Sequence, residues 1–191
     1  MSRTSPSTRP TTVLVYSTAL RALHWLTALC MFVVIPIAWY MTTMDRHDPS
    51  HGGWVNLHKS IGLTILLLTL IRVVARLSGS APPLPERIPA FEQRLASLGH
   101  GLLYLILFAM PVSGYLTSYG GGHLVNWFWL FTLPSVIPQD KLLVHLGATI
   151  HYWLAYLSYL LIAGHVLAVI YHQLVQHIDI LGRMTGRRDP L

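Results

Sequence analysis

The chain is poor in charge, poorer still in acids, and has a single cysteine. Only 10% of its 191 residues are Asp, Glu, Lys or Arg, against about a quarter in soluble domains, which excludes an ordinary water-facing surface. Cys30 stands alone, so there is neither an intramolecular disulfide nor a cysteine pair to hold a cofactor covalently. Seven acidic residues face thirteen basic ones, a net charge of +6. The basic residues are scattered and no nucleic-acid motif accompanies them, so no nucleic-acid partner is expected. The N-terminal residues lack the short apolar core and small-residue site of a cleaved signal peptide. Leu29, before Cys30, stands where a lipoprotein site wants a small residue.

What the chain has instead is apolar residues gathered into runs. Hydrophobic residues make up 53% of it. Four runs, about residues 19–41, 54–77, 95–119 and 142–175, are each long enough to cross a hydrocarbon core of about 30 Å as a helix. The expected fold is therefore all-α, a transmembrane four-helix bundle. Pro36 and Pro111 fall inside runs, where a bundle tolerates them. The stretch 120–141, with its triple glycine and the aromatic HLVNWFWLFTLPSVIP, is too short and too broken by Pro134 and Pro138 to span. It reads as a short interfacial segment between helices 3 and 4. The domain division that follows is a polar cytoplasmic tail at 1–17, one membrane domain at 18–184 and a basic tail at 185–191.

Orientation comes from the cations. Arg3, Arg9, Arg21, Arg72, Arg76, Arg87, Arg94, Arg183, Arg187 and Arg188 fall on one side, and Arg46, Lys59 and Lys141 on the other. The positive-inside rule puts both termini on the cytoplasmic side.

Eleven histidines outnumber the acids. His151 and His165 are fourteen residues apart in HYWLAYLSYLLIAGH, a rise of about 21 Å and about 40° short of four turns. Both imidazoles thus lie on one face, one toward each side of the membrane. Ionisable side chains at that depth are costly and mark a pathway or a cofactor. With the topology above, His58 shares the outer layer with His151. His24 and His100 share the inner layer with His165, and spacing alone does not choose between them. Two imidazoles on one porphyrin iron make the ligand set of an electron-transfer haem, with no open position. Arg72, fourteen residues beyond His58, reaches inner-layer depth, where it would pair with a haem propionate or snorkel to the interface. His172, two turns beyond His165, would donate to a quinone carbonyl and relay its proton, or face lipid headgroups. His47, His51, His123, His145 and His177 lie near loops or helix ends and receive no role.

The segments ALHWLTAL, VNLHKSIGLTILLLTLIRVVARL, LGHGLLYLILFAMPVSGY, WFWLFTLPSVIP and HYWLAYLSYLLIAGHVLAVIYH resemble the bacterial cytochrome b561 proteins, over about residues 16–184. These are four-helix dihaem carriers of the bacterial inner membrane that include the superoxide oxidases, and the resemblance implies the same location here. The resemblance implies two haems b, one bound by His24 and His165 and the other by His58 and His151. It favours His24 over His100, which is left with a structural role or a hydrogen bond to an inner propionate.

The expected function is transmembrane electron transfer from a donor on the outer side to a membrane quinone, with ubiquinone as acceptor. Its enzymatic version is superoxide oxidation. The outer basic residues Arg46, Lys59 and Lys141 are offset there by Asp45, Asp48 and Asp140, which weakens the steering of an anion. The alternatives are a cytochrome b subunit working with a dehydrogenase or hydrogenase partner, and a haem-free metal transporter. The lack of carboxylates within the runs argues against the transporter.

Overall fold

The structure is a computed structural model that describes residues 15–79 and 82–187. Four long helices dominate it: α1 (Thr18–Thr43), α2 (His51–Ser78), α3 (Ala90–Gly120) and α4 (Lys141–Leu174). Each is long and apolar enough to cross a membrane. Their outward faces carry large apolar side chains such as Phe32, Leu77, Trp153 and Leu160, all more than 60% exposed, as lipid contact requires. The all-α bundle expected from the sequence is what forms.

Helix starts are set by caps. Ser17 Oγ accepts the Leu20 N–H at the start of α1, and Asp140 accepts the Leu142 N–H at the start of α4. Helices α2 and α3 begin at His51 and Ala90, earlier than the apolar runs at 54 and 95. Hydropathy marks only the lipid-facing turns, and both helices continue into the polar interface.

Helix α1 packs along α2, α2 along α3, and α3 along α4. Val34, Ile37, Ile61 and Ile65 form the buried α1–α2 seam. Elsewhere the interior is lined by small hydroxyls, each returned to its own helix: Thr27 to Leu23 O, Thr69 to Ile65 O, Ser158 to Ala155 O. At α3–α4, Gly147 is buried, which lets the two backbones approach closely.

The interfacial stretch does more than lie on the surface. It folds into a small antiparallel hairpin, β1 (Asn126–Trp127) and β2 (Phe131–Thr132), docked on the N-terminal half of α2. Asn56 donates to Asn126 O at 2.7 Å, and the Phe128 N–H meets Ser60 Oγ at 2.9 Å. The Trp127 indole reaches Thr64 Oγ1 at 3.2 Å. Asn56, Ser60 and Thr64 are four residues apart, so one stripe of α2 receives the whole hairpin. Phe128 and Trp129 have φ of 46° and 59°, unusual for bulky residues, and the bond that the Phe128 N–H donates to Ser60 Oγ holds the first of them.

A fifth helix that the sequence reading does not anticipate, α5 (Ile180–Thr185), follows α4. It is capped by Asp179 and ended by Gly186 at φ 89°. Arg183, 3% exposed, donates to Pro82 O and Pro83 O. Residues 1–14 and 188–191, which make up most of the two expected tails, lie outside the described residues.

Candidate functional site

The histidines of α1, α2 and α4 come together in two pairs. His24 and His165 have ring centres 6.3 Å apart with planes at 74°. His58 and His151 have centres 6.1 Å apart with planes at 76°. The same geometry is thus repeated in two layers about 21 Å apart by the rise of α4. All four side chains are half-buried. His100 is also near, its ring centre 5.6 Å from that of His165.

The positions follow from local packing. Gly147 has no side chain because none fits: a Cβ there would lie 2.7 Å from Thr117 Oγ1 and 2.8 Å from Ser113 O. One turn later His151 is carried against α3, where its Nδ1 lies 3.1 Å from both Met110 O and Ser113 Oγ. Gly114 makes room for the ring, since a Cβ there would meet His151 Cε1 at 3.3 Å. With Nδ1–H held by the carbonyl, Nε2 keeps its lone pair for a metal. In the same layer, His58 Nδ1 is buried without a well-formed hydrogen bond among the described residues, and the Val34 backbone lies beside the ring.

The His24–His165 layer has arginines beside it, and the His58–His151 layer has Lys59. Arg72 lies near His24, His100 and His165. Its guanidinium sits 5.1 Å from the centre of the Tyr104 ring, and Arg76 lies 6.0 Å from the same ring. Among the described residues no carboxylate pairs with either arginine, and Tyr104 Oη is buried without a partner. A half-buried cation beside an unsatisfied donor suits an anion that the polypeptide itself does not supply.

These features fit haem. Two imidazoles on one metal, at bonds of about 2.0–2.1 Å with about 1.1 Å from nitrogen to ring centre, stand about 6.3 Å apart. Both pairs match that separation, and the His100–His165 distance falls short of it. Among the described residues no group of three or more His, Cys, Asp or Glu side chains is arranged to hold a metal ion. The donor sets are pairs, as a porphyrin needs.

His172 lies apart from both pairs, toward the cytoplasmic end of α4 by the charge-based topology. Its Nδ1 is 2.8 Å from Gln176 Oε1, and Gln176 Nε2 donates to both oxygens of Glu92. Neither partner was legible in sequence, because Glu92 belongs to the polar first turn of α3. On the opposite side, a cleft of about 570 Å³ opens between the start of α2 and the segment after α3, lined by His51, Asn56, Lys59 and His123 among others. The nearby carboxylates are held in their own turns. The His47 N–H and ring lower Asp45 below the ordinary carboxylate range, and the Ser50 N–H and hydroxyl do the same to Asp48.

The comparisons agree with this architecture. The chain is 31% identical over 173 residues to cytochrome b561 homolog 2 of Escherichia coli, covering 90% of this chain and 92% of that protein. It is 29% identical over 175 residues to the probable superoxide oxidase CybB of Yersinia pestis, covering 91% and 97%. Cytochrome b561 homolog 1 of E. coli is 27% identical, covering 87% of this chain and 94% of that protein. The prokaryotic cytochrome b561 profile matches residues 15–187. The chain belongs to the prokaryotic cytochrome b561 family, and is a multi-pass bacterial membrane cytochrome of b type that transfers electrons.

Proposed function

We propose that this chain binds two haems b, His24 with His165 toward the cytoplasm and His58 with His151 toward the outer side. It then passes electrons from an outer donor to a membrane quinone, with both termini cytoplasmic. The observation that carries this reading is the repeated pair geometry, 6.3 Å and 6.1 Å between ring centres. Haem b held by two imidazoles supplies a one-electron ferric/ferrous couple without an open coordination position. The chain's own contribution is placement. Met110 O orients His151, the unpaired Arg72 and Tyr104 await the inner propionates, and the bundle excludes water between the layers.

A reduced-minus-oxidised spectrum with pyridine-haem quantification tests the reading. Two extractable, low-spin haems b per chain are expected, and one haem, or a high-spin iron that binds carbon monoxide, would overturn it.

The outer cleft favours superoxide as donor over a docked redox protein. Lys59 directly follows His58 and lines the cleft with His51 and His123, while Asp45 and Asp48 beside His51 are tied into their own turns by hydrogen bonds. A small anion would be drawn to such a site. The relative named a probable superoxide oxidase spans 91% of this chain, which supports the same assignment. An enzymatic superoxide source should reduce the haems and then added ubiquinone. Reduction that appears only with a co-purified protein would favour the subunit reading instead.

A further inference from the structure

Three seams of the bundle are packed and the fourth is not. Helix α1 packs along α2, α3 along α4, and α2 against α3 between the two pairs, while no extended seam joins α1 to α4. The bundle is thus two leaves, α1–α2 and α3–α4, joined along one edge. His24 and His58 belong to the first leaf, His151 and His165 to the second, so each histidine pair reaches from leaf to leaf. At the other edge, long side chains span the distance between α1 and α4. The Trp39 indole donates to Tyr159 Oη at 3.1 Å, with ring centres 6.5 Å apart. At the end that carries α5, the Trp25 indole donates to Met184 O at 2.9 Å.

This margin faces lipid, with Trp39 62% and Trp25 45% exposed. Tyr159 stands eight residues after His151 and six before His165, about 12 Å and 9 Å along α4. Its bond to Trp39 therefore lies between the two histidine layers, and each layer adjoins a stretch of margin. Tyr152, Tyr156 and Tyr159 follow one another at spacings of four and three on one stripe of α4, with successive ring centres 5.1 and 6.1 Å apart. Such an aromatic edge suits the face of a flat, largely apolar macrocycle. Close to the ligands the leaves are not interlocked. A Cβ on Gly62, one turn beyond His58, or on Gly164, beside His165, would meet no neighbouring group within 4 Å. At the α3–α4 seam a Cβ on Gly147 would strike backbone at 2.8 Å. Passage through a packed seam must part interdigitated helices. Passage between α1 and α4 must break the hydrogen bonds that clasp it.

We infer that haem enters and leaves this protein sideways, from the bilayer between α1 and α4, and that the Trp39–Tyr159 hydrogen bond latches that margin. This rests on the histidine pairing proposed above. Axial bonds from both leaves then hold the margin shut, so the latch governs haem exchange and leaves the bound state unaltered.

The test follows haem transfer, by absorbance, from the full-length, haem-loaded protein in lipid nanodiscs to excess apomyoglobin. Tyr159→Phe keeps the ring and removes the acceptor of the Trp39 N–H. It should speed transfer by about two- to tenfold, with haem content and midpoint potentials as in the wild type. In a Cys30→Ser background, Trp39→Cys and Tyr159→Cys are joined by a bifunctional maleimide after haem loading. The bridge should stop transfer, and a monofunctional maleimide should not. Tyr40 and Trp54 meet across the packed α1–α2 seam with ring centres 5.0 Å apart. A bridge between Tyr40→Cys and Trp54→Cys should leave the rate unchanged. Equal slowing by both bridges, or none by the α1–α4 bridge, would overturn the lateral route. An unchanged rate in Tyr159→Phe would overturn the latch, and this variant decides if the cysteine pairs load poorly. Haem is counted before apomyoglobin is added, and fewer than two haems per wild-type chain would overturn the pairing itself, whatever the rates.

Discussion

Gly147 on α4 faces Thr117 on α3 so closely that one added methyl would stand 2.7 Å from the threonine hydroxyl and 2.8 Å from its amide nitrogen. The obstacle is mostly backbone, which cannot rotate away. Gly147→Ala should therefore push α4 off α3 and cost about 1–3 kcal/mol. Because His151 follows one turn later, its bond to Met110 O should lengthen with the shift. A lower melting temperature, with the haem attributed to His58 and His151 lost first on heating, is the expected result. Loss of both haems together would mean that the strain spreads through the bundle.

The two pairs should be separable. His151→Ala should remove one haem per chain and leave the other with an unchanged spectrum, and His165→Ala should do the reverse. His100→Ala should leave the haem content at two. Pyridine-haem stoichiometry on the purified variants reads all three, and a His100 variant holding one haem would exchange the roles of His24 and His100.

Arg72 should tune the inner haem. Taking a positive charge from near an iron stabilises the ferric form, so Arg72→Gln should lower the inner midpoint potential. A unit charge about 10 Å away at an effective dielectric near 20 interacts by about 1.7 kcal/mol. With about 59 mV per tenfold for one electron, the shift is several tens of millivolts. The outer haem, about 20 Å off by helix rise, should move much less. A potentiometric titration that shows no inner shift would leave Arg72 as a cation reaching the interface.

Ser60 is fully buried and links α2 to the hairpin. Ser60→Ala removes the acceptor of the Phe128 N–H, whose backbone already has a positive φ of 46°. An unsatisfied buried donor costs about 1–3 kcal/mol. The hairpin should loosen, with faster proteolysis between residues 120 and 140, while haem content stays at two. Equal cleavage rates in the variant and the wild type would show that Asn56 and Thr64 suffice.

The helices and the histidine layers were legible because both depend on one-dimensional spacing: run length against membrane thickness, and fourteen residues against four turns. The inner partner was less so. His24 and His100 both lie near His165, at 6.3 Å and 5.6 Å between ring centres, and no count of residues separates them. The hairpin was read only as an interfacial aromatic stretch. Its anchors Asn56, Ser60 and Thr64 look like ordinary small polar residues of a membrane helix until residues 126–128 arrive beside them. Glu92 was hidden for a similar reason. It stands in a polar turn ahead of the apolar run, and its link to Gln176 spans 84 positions in the chain.

The short helix after α4 bears on the order in which the molecule is completed. Arg183 O accepts from the Tyr16 N–H at 3.1 Å, and Met184 O from the Trp25 indole at 2.9 Å, a contact between positions 159 apart. With the bonds from Arg183 to Pro82 and Pro83, the segment gathers α1, the α2–α3 connection and α4 around one rim. Contacts so distant in sequence can form only after all four spans have been synthesised and inserted. The rim beside the His24–His165 pair therefore cannot close before the residues that follow the last span have been made.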